Sequence, residues 1–443
     1  MKKSTRLLIS VLISVLFLCV GVSAQRQPPA ASRPAAKAPI REVNPVERPD
    51  PNHVIAIVGA TLIDGRGGPA IPEAVVVIRG EQITAVGKRA SINIPPGAEI
   101  FDAKGLTLLP GLIDAHFHID GDDPLPALYL SHGITSLRDP GQWIEAYDAA
   151  RKASAPVPRL FLCGPHLDSP PPAYPADSFI VRDAEETRRA VNRFADDGAS
   201  AIKVYFRLPL ALIGVATETA HARGLPVTSH LEIVDAADAI RAGVDGVEHA
   251  TSFGTALLPL RDAEKYRQAV LADNNARREG RYQVWNSINL DTPRARALFR
   301  LIVDHGTFVS PTLAVFERQP GDKDTTEMHV HAFKQMENFV RLVHRAGAKV
   351  VVGSHSDVPH AKRGWAYQRE LELLVESGLT PMEAIVAGTM ENARFFHIAE
   401  RLGSVETGKL ADLVLVDGDP LNNISNMRRV KRVMLSGRWI EAR

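Results

Sequence analysis

His116 and His118 are separated by one residue in the stretch LLPGLIDAHFHID (108–120). Alternate side chains of an extended strand share a face. Both imidazoles would therefore point the same way from the end of a buried strand, where they can grip one metal ion. Alone the pair is weak evidence, since a chain with 15 His in 443 residues contains about 0.5 such pairs by chance. A second pair, His329 and His331, lies in a stretch that reads as helix, where positions two apart face different ways.

Other residues of the right chemistry end short apolar runs. Lys203 sits in AIKVYF (201–206), His230 in PVTSHL (226–231) and His249 in GVEHA (246–250); GSHSD (353–357) adds His355 and Asp357. Each has a plain structural reading. A lone His at a strand end is more often a hydrogen-bonded structural residue, and a strand lysine often snorkels from an edge. Yet a buried amine costs several kcal/mol unless paired or neutralised. Five such residues, each at the same end of its run, are not credible as independent accidents.

The elements that must carry them alternate between strand and helix. Eight strands are expected: 111–118, 134–139, 159–164, 201–206, 226–231, 246–250, 307–315 and 349–355. Helices are expected at 183–196, 293–305, 331–346 and 366–377, and a capping-box pattern at Thr380–Glu383 opens the last one. Eight strands over about 250 residues have the size of a (β/α)8 TIM barrel, whose active site lies at the C-terminal ends of the strands. The long connection 251–291 holds Arg277, Arg278 and Arg281 and is expected to shape the mouth as a lid or to pack as a surface insertion. Flanking the barrel (108–399), β-branched runs punctuated by glycine at 53–107 and 400–443 are expected to meet as one small β-sandwich-like domain.

Composition narrows the partners. A net charge of +1 favours neither nucleic acid nor an acidic surface, and a small-molecule substrate is the expected partner; a homo-oligomer is compatible with everything in the sequence. Lys2, Lys3 and Arg6 precede an apolar run (7–22), and Val22-Ser23-Ala24 forms a small-x-small site. This reads as a secretory signal peptide over 1–24 rather than a membrane anchor, since the run is short of the ~20 residues a span needs. Leu18 before Cys19 speaks against a lipid anchor. The protein is thus expected to be exported, with residues 25–52, rich in Pro and Ala, as a linker. After cleavage only Cys163 remains, which excludes an intrachain disulfide.

The motifs PGLIDAHFH (110–118), HGITSLRD (132–139), IKVY (202–205), SHLE (229–232), AGVDGVEHA (242–250), GLTPMEAIVAGTMENARFF (378–396) and LGSVETGKLADLVLVDGDP (402–420) resemble the metal-dependent amidohydrolase superfamily, in its imidazolonepropionase-like and Xaa-Pro dipeptidase-like branch. The resemblance spans roughly 53–443 and implies a hydrolase of C–N bonds. It implies that His116 and His118 bind the more buried of two ions, His230 and His249 the more exposed one, and that Lys203, carboxylated by carbon dioxide, bridges them. A hydroxide held by the metal would be the nucleophile, and zinc suits imidazole ligands and hydrolysis. The chain departs from the pattern where the superfamily ends strand eight with an aspartate that binds metal and shuttles the proton. His355 stands there, and the nearest acid is Asp357. His355 is expected to act as ligand and base, with Asp357 as near partner or substitute and His360 as a weaker candidate. Tyr205 is expected to steady an oxyanion, Arg207 to meet a substrate carboxylate, and Arg138 and Asp139 to pair structurally. The expected substrate is a dipeptide-like compound, an N-acyl amino acid or a cyclic amide. The rivals are a lactonase or decarboxylase on the same scaffold and a catalytically altered metal-binding protein.

Overall fold

The structure, a computed structural model, describes residues 41–44 and 46–440. The expected signal segment and the first part of the linker lie outside the described residues.

All eight barrel strands form, the second over the whole expected run and the others shorter: Leu112–Asp114, Ile134–Asp139, Arg159–Leu162, Ile202–Val204, Val227–His230, Gly246–Glu248, Phe308–Ser310 and Lys349–Val350. They lie side by side in this order and in parallel. The third strand is broken. After Gly164, whose φ of +76° lies in the region that favours glycine, the chain resumes as His166–Asp168, and Leu167 pairs with Val204 of the fourth strand. Two backbone bonds join the last strand to the first: Ala115 N–H donates to the Val352 carbonyl at 2.9 Å and His355 N–H to the His116 carbonyl at 2.6 Å. The Asn392 side-chain amide donates to the carbonyls of Ile113 and Val352 at the same seam. The chain forms the expected (β/α)8 architecture.

Helix ends follow local chemistry. Asp183 caps Ala184–Asp196 by accepting the Glu186 N–H at 2.8 Å, Thr292 caps Pro293–His305, and Thr380 and Glu383 close a capping box on Pro381–Val386. Glu327–Arg345 and Ala366–Glu376 complete the expected set. The connection 251–291, expected as a lid or a packed surface insertion, is helical: Gly254–Leu257, Leu260–Ala272 and Ala276–Ser287. Its apolar stripe is too thin to read, because Leu260–Ala272 buries only Ala263 and Val270.

The two ends of the chain share one sheet. Strands Arg438–Ile440, Val430–Leu435, Leu413–Asp417, Leu106–Pro110, Val54–Leu62, Ile71–Arg79 and Gln82–Lys88 follow one another in space, and Glu99–Asp102 pairs beside Val54–Leu62. Ile55 and Ile57 pack into one apolar cluster and Ala56 into another, so alternate positions serve two faces, as the period-two pattern requires. The apolar run that precedes the histidine pair thus divides. Leu106–Pro110 belongs to this sheet, and the barrel begins only after Gly111, whose N–H donates to the Asp412 carbonyl at 2.7 Å.

Arg159 fastens barrel to sheet. It is buried, and its guanidinium holds Asp412 through two N–H bonds (2.8 and 3.2 Å), Ser436 at 2.5 Å and Glu42 at 3.0 Å. Glu42 lies in the expected linker. There the chain is ordered: Val43 N–H donates to the Leu160 carbonyl and Asn44 bonds both Pro158 and Leu160. No helix among the described residues is long and apolar enough to cross a membrane.

Candidate active site

A cavity of about 300 Å³ is lined by His116, His118, Lys203, Tyr205, His230, His249 and His355. Ring atoms of His116, His249 and His355 lie within 4.8 Å of one another, a spacing that can hold one metal ion. His118 joins them, its Nε2 3.0 Å from His116 Nε2, which is the shared direction expected of an H-x-H pair.

The imidazoles are aimed by partners on their other nitrogen. His116 Nδ1 lies against the Glu248 carboxylate without a regular hydrogen bond. His118 Nδ1 lies 3.4 Å from Asp139, His249 Nδ1 2.6 Å from the Thr312 hydroxyl, and His230 Nε2 3.1 Å from Glu232. One nitrogen anchored by a carboxylate or hydroxyl and the other left for an ion is how proteins orient metal-binding histidines. Burial lowers the pKa of His116 to about 4 and of His230 to about 3, and holds His249 and His355 well below the ordinary value. At neutral pH these rings are uncharged, the form that binds metal.

Glu248 is the hub beneath the cluster, and the sequence reading passed over it. Its carboxylate is fully buried and takes Lys203 Nζ at 2.7 Å, the Thr228 hydroxyl at 2.5 Å and Arg138 at 3.4 Å, besides His116. Burial opposes its charge, but His116, Lys203 and Arg138 overcome this and hold it well below the usual carboxylate range. The signal was present in GVEHA: a carboxylate inside an apolar strand needs a partner for the same reason as Lys203. Arg138 and Asp139 do not pair with each other as expected. Adjacent strand residues face opposite ways, so Arg138 turns to Glu248 while Asp139 takes His118, the Ile119 and Gly141 N–H groups and the Tyr147 hydroxyl.

Strain collects around the cluster. His249, Thr312, His355 and Ser356 have φ between +45° and +69° without being glycine. Each such residue costs about 1–3 kcal/mol and persists only where its surroundings dictate it, commonly at functional sites. Two buried acids hold these turns. Asp114 accepts N–H groups from His116 (3.0 Å) and Ser354 (2.9 Å), and Glu370 accepts those of Leu313 and Ala314 just after Thr312. Gly353 lets the eighth strand pass the first, since a Cβ there would lie 2.6 Å from His116 Cβ.

The remaining expected residues divide. Tyr205 is in the cavity wall, its ring 4.7 Å from that of His230. Asp357 is exposed and outside the cavity lining, and His360 pairs with Asp322 at 2.9 Å. Arg207 does not line the cavity either. Its guanidinium donates to Asn274 Oδ1 (2.6 Å) and to the Val270 and Leu271 carbonyls, bracing the helical insertion. Arg277, Arg278 and Arg281 of that insertion do line the cavity, as does His166 on the detached half of the third strand. The pair His329 and His331 divides as helical spacing requires, one buried against Glu279 and one exposed beside Asn286.

Barrel and site together define a class: a (β/α)8 protein with an anchored histidine cluster at the C-terminal mouth. The chain belongs to the Amidohydrolase family, whose model matches residues 107–440. It is similar to an N-acyl-D-aspartate deacylase of Alcaligenes xylosoxydans xylosoxydans, 45% identical over 86 residues (18% of this chain, 16% of the relative). It is also similar to an imidazolonepropionase of Idiomarina loihiensis, 40% identical over 63 residues (14% of this chain, 15% of the relative). These matches span less than a fifth of either relative's length. Among solved structures, a Xaa-Pro dipeptidase with methionine bound in its active site superposes with a TM-score of 0.69 at 23% identity, covering 88% of this chain and 100% of that one. An A. niger ochratoxinase superposes with a TM-score of 0.69 at 21% identity, covering 89% and 97%. At these identities the likeness concerns the fold.

Proposed function

We propose that this protein is a metal-dependent hydrolase that cleaves an amide or related C–N bond in a small substrate, and that it acts outside the cytoplasm after loss of residues 1–24. The observation that carries the reading is the convergence of ring nitrogens of His116, His249 and His355 on one point of an open cavity, with His116 and His249 each held on the other nitrogen. His116, His118, His249 and His355 would hold a divalent ion, zinc by preference, with His230 beside them; Lys203, if carboxylated, would add an oxygen ligand. Such an ion supplies Lewis acidity, making water acidic enough to attack near neutral pH and polarising the scissile carbonyl. The protein supplies the rest. Glu248 and Thr312 fix the ring planes, Tyr205 can donate to the developing oxyanion, and His355 fills the place where the superfamily carries its proton-shuttling aspartate.

Metal analysis of the purified protein, followed by turnover of Xaa-Pro dipeptides, N-acyl amino acids, cyclic amides and lactones, tests this. Stoichiometric divalent metal and preferred cleavage of a C–N bond are expected. The reading fails if no metal copurifies or can be loaded and His230→Ala changes no activity, or if lactones are the better substrates. Export is tested by sequencing the N-terminus of native protein, which should begin at Gln25.

A further inference from the structure

The short helix Leu313–Phe316, just after the seventh strand, begins at a residue that does not cap it. Thr312 holds the N-cap place in the left-handed region (φ 45°, ψ 50°) and makes no side-chain bond to the helix. A threonine there ordinarily accepts one of the unpaired N–H groups of the first turn. Here its hydroxyl is turned to His249 Nδ1, 2.6 Å away, so the first turn needs another acceptor. Glu370 supplies it from the helix Ala366–Glu376: one carboxylate oxygen accepts the Leu313 N–H at 2.9 Å and the other the Ala314 N–H at 2.8 Å. A buried carboxylate without a cation is costly. Glu370 is fully buried and forms no salt bridge among the described residues; burial pushes its carboxyl up to about 8, although the two N–H groups favour its charge. Its neighbour Arg369 grips the far end of the same segment, donating to both Glu317 oxygens at 2.7 and 2.9 Å, and the Tyr282 hydroxyl donates to the Phe316 carbonyl at 3.1 Å. Residues 312–317 are thus clamped at both ends. This stretch puts Val315 and Phe316 into the cavity wall, whereas Glu370 lies outside the lining.

We propose that Glu370 is a positioning residue for the metal site. By capping the 313–316 turn in place of Thr312, it leaves the Thr312 hydroxyl free to accept from His249 Nδ1 and so keeps the other ring nitrogen turned to the ion. Without that carboxylate the Leu313 and Ala314 N–H groups would be buried and unpaired. The nearest hydroxyl, that of Thr312, would be drawn to them as in an ordinary N-cap, and His249 would lose its anchor. This role rests on the metal-dependent reading of His249 and is independent of which bond is cleaved.

The test measures the zinc affinity of the full chain by chelator competition in the unaltered protein, Glu370→Gln, Thr312→Val and the double variant. Glutamine keeps the shape of the side chain but turns an amide N–H toward one of the two backbone donors. Affinity should fall about 10- to 100-fold in Glu370→Gln, the range seen when a metal-binding histidine loses its partner. The double variant should bind no more weakly than Thr312→Val alone, because both changes act through one hydrogen bond. Glu370→Asp keeps the charge but draws the oxygens back by one methylene. It should show the same pattern, so the test stands even where the glutamine variant does not fold. Losses that add in the double variant would mean a general loosening and overturn the positioning role, as would an unchanged zinc affinity in both Glu370 variants. Zinc binding that depends on Glu370, with no turnover of any C–N substrate, would leave this role standing and sink the hydrolase reading; an unaltered protein that takes up no divalent metal would sink both.

Discussion

Glu232→Gln isolates one buried interaction between the barrel and its helical insertion. The Glu232 carboxylate is 2% exposed and receives Arg281 through two N–H groups, the Tyr266 hydroxyl at 2.5 Å and His230 at 3.1 Å. Glutamine can still accept from Arg281 with its carbonyl and donate to the Tyr266 hydroxyl with its amide, but Arg281 loses its counter-charge. Burial raises the carboxyl value, but Arg281 and His230 outweigh it and bring it from its ordinary 4.5 down to about 2. A carboxylate depressed by that much contributes ~3 kcal/mol at neutral pH, at the lower end of the 3–5 kcal/mol typical of breaking a buried pair. With an unfolding entropy of ~2.1 cal/mol/K per residue over about 400 residues, that is a Tm lower by roughly 4 °C. Because the folded value is depressed, the stabilisation is fully present above pH 4.5 and is lost as pH falls through 4.5 toward 2. Calorimetric scans of both proteins should show the full gap at pH 7 and less than half of it near pH 3. A gap that stays constant from pH 7 to 3, or no gap at pH 7, would refute this account.

Three further outcomes follow from the same structure. Thr312→Val removes the hydroxyl that holds His249 Nδ1 at 2.6 Å; zinc affinity, read by chelator competition, should fall about 10- to 100-fold with little change in unfolding. Gly353→Ala forces a Cβ to within 2.6 Å of His116 Cβ and 2.8 Å of Ser310 Oγ, so denaturant titration should show a loss of about 1–3 kcal/mol together with weaker metal binding. Arg159→Met strands the buried Asp412 and should cost about 3–5 kcal/mol, whereas a loss below about 1 kcal/mol would mean that the barrel-to-sheet seam is held by apolar packing instead.

The histidine pair, the strand-end His230 and His249, Lys203 and the alternating rhythm of strands and helices were all legible in the sequence. Each is a local signal: period two within a strand, a cap at a helix start, a polar residue ending an apolar run. The meeting of the two chain ends in β structure was legible too, as matching β-branched runs, though they form one sheet where a sandwich-like arrangement was expected. What the sequence could not show is which side chains meet. Glu248 and Arg138 are 110 positions apart and touch only because the barrel brings the second and sixth strands to one interior. Asp357, two residues beyond His355, was a reasonable substitute acid on spacing alone. The positive φ of His355 and Ser356 breaks the strand alternation and leaves Asp357 exposed. Arg207, expected to meet a substrate carboxylate, does not line the cavity. The insertion, whose sparse apolar stripe hid its helices, takes Arg207 as a brace and presents Arg277 and Arg278 to the cavity. Residue type and spacing determined the chemistry available to this protein. Tertiary packing alone decided which of those groups converge, because convergence depends on long-range contacts that no local period encodes.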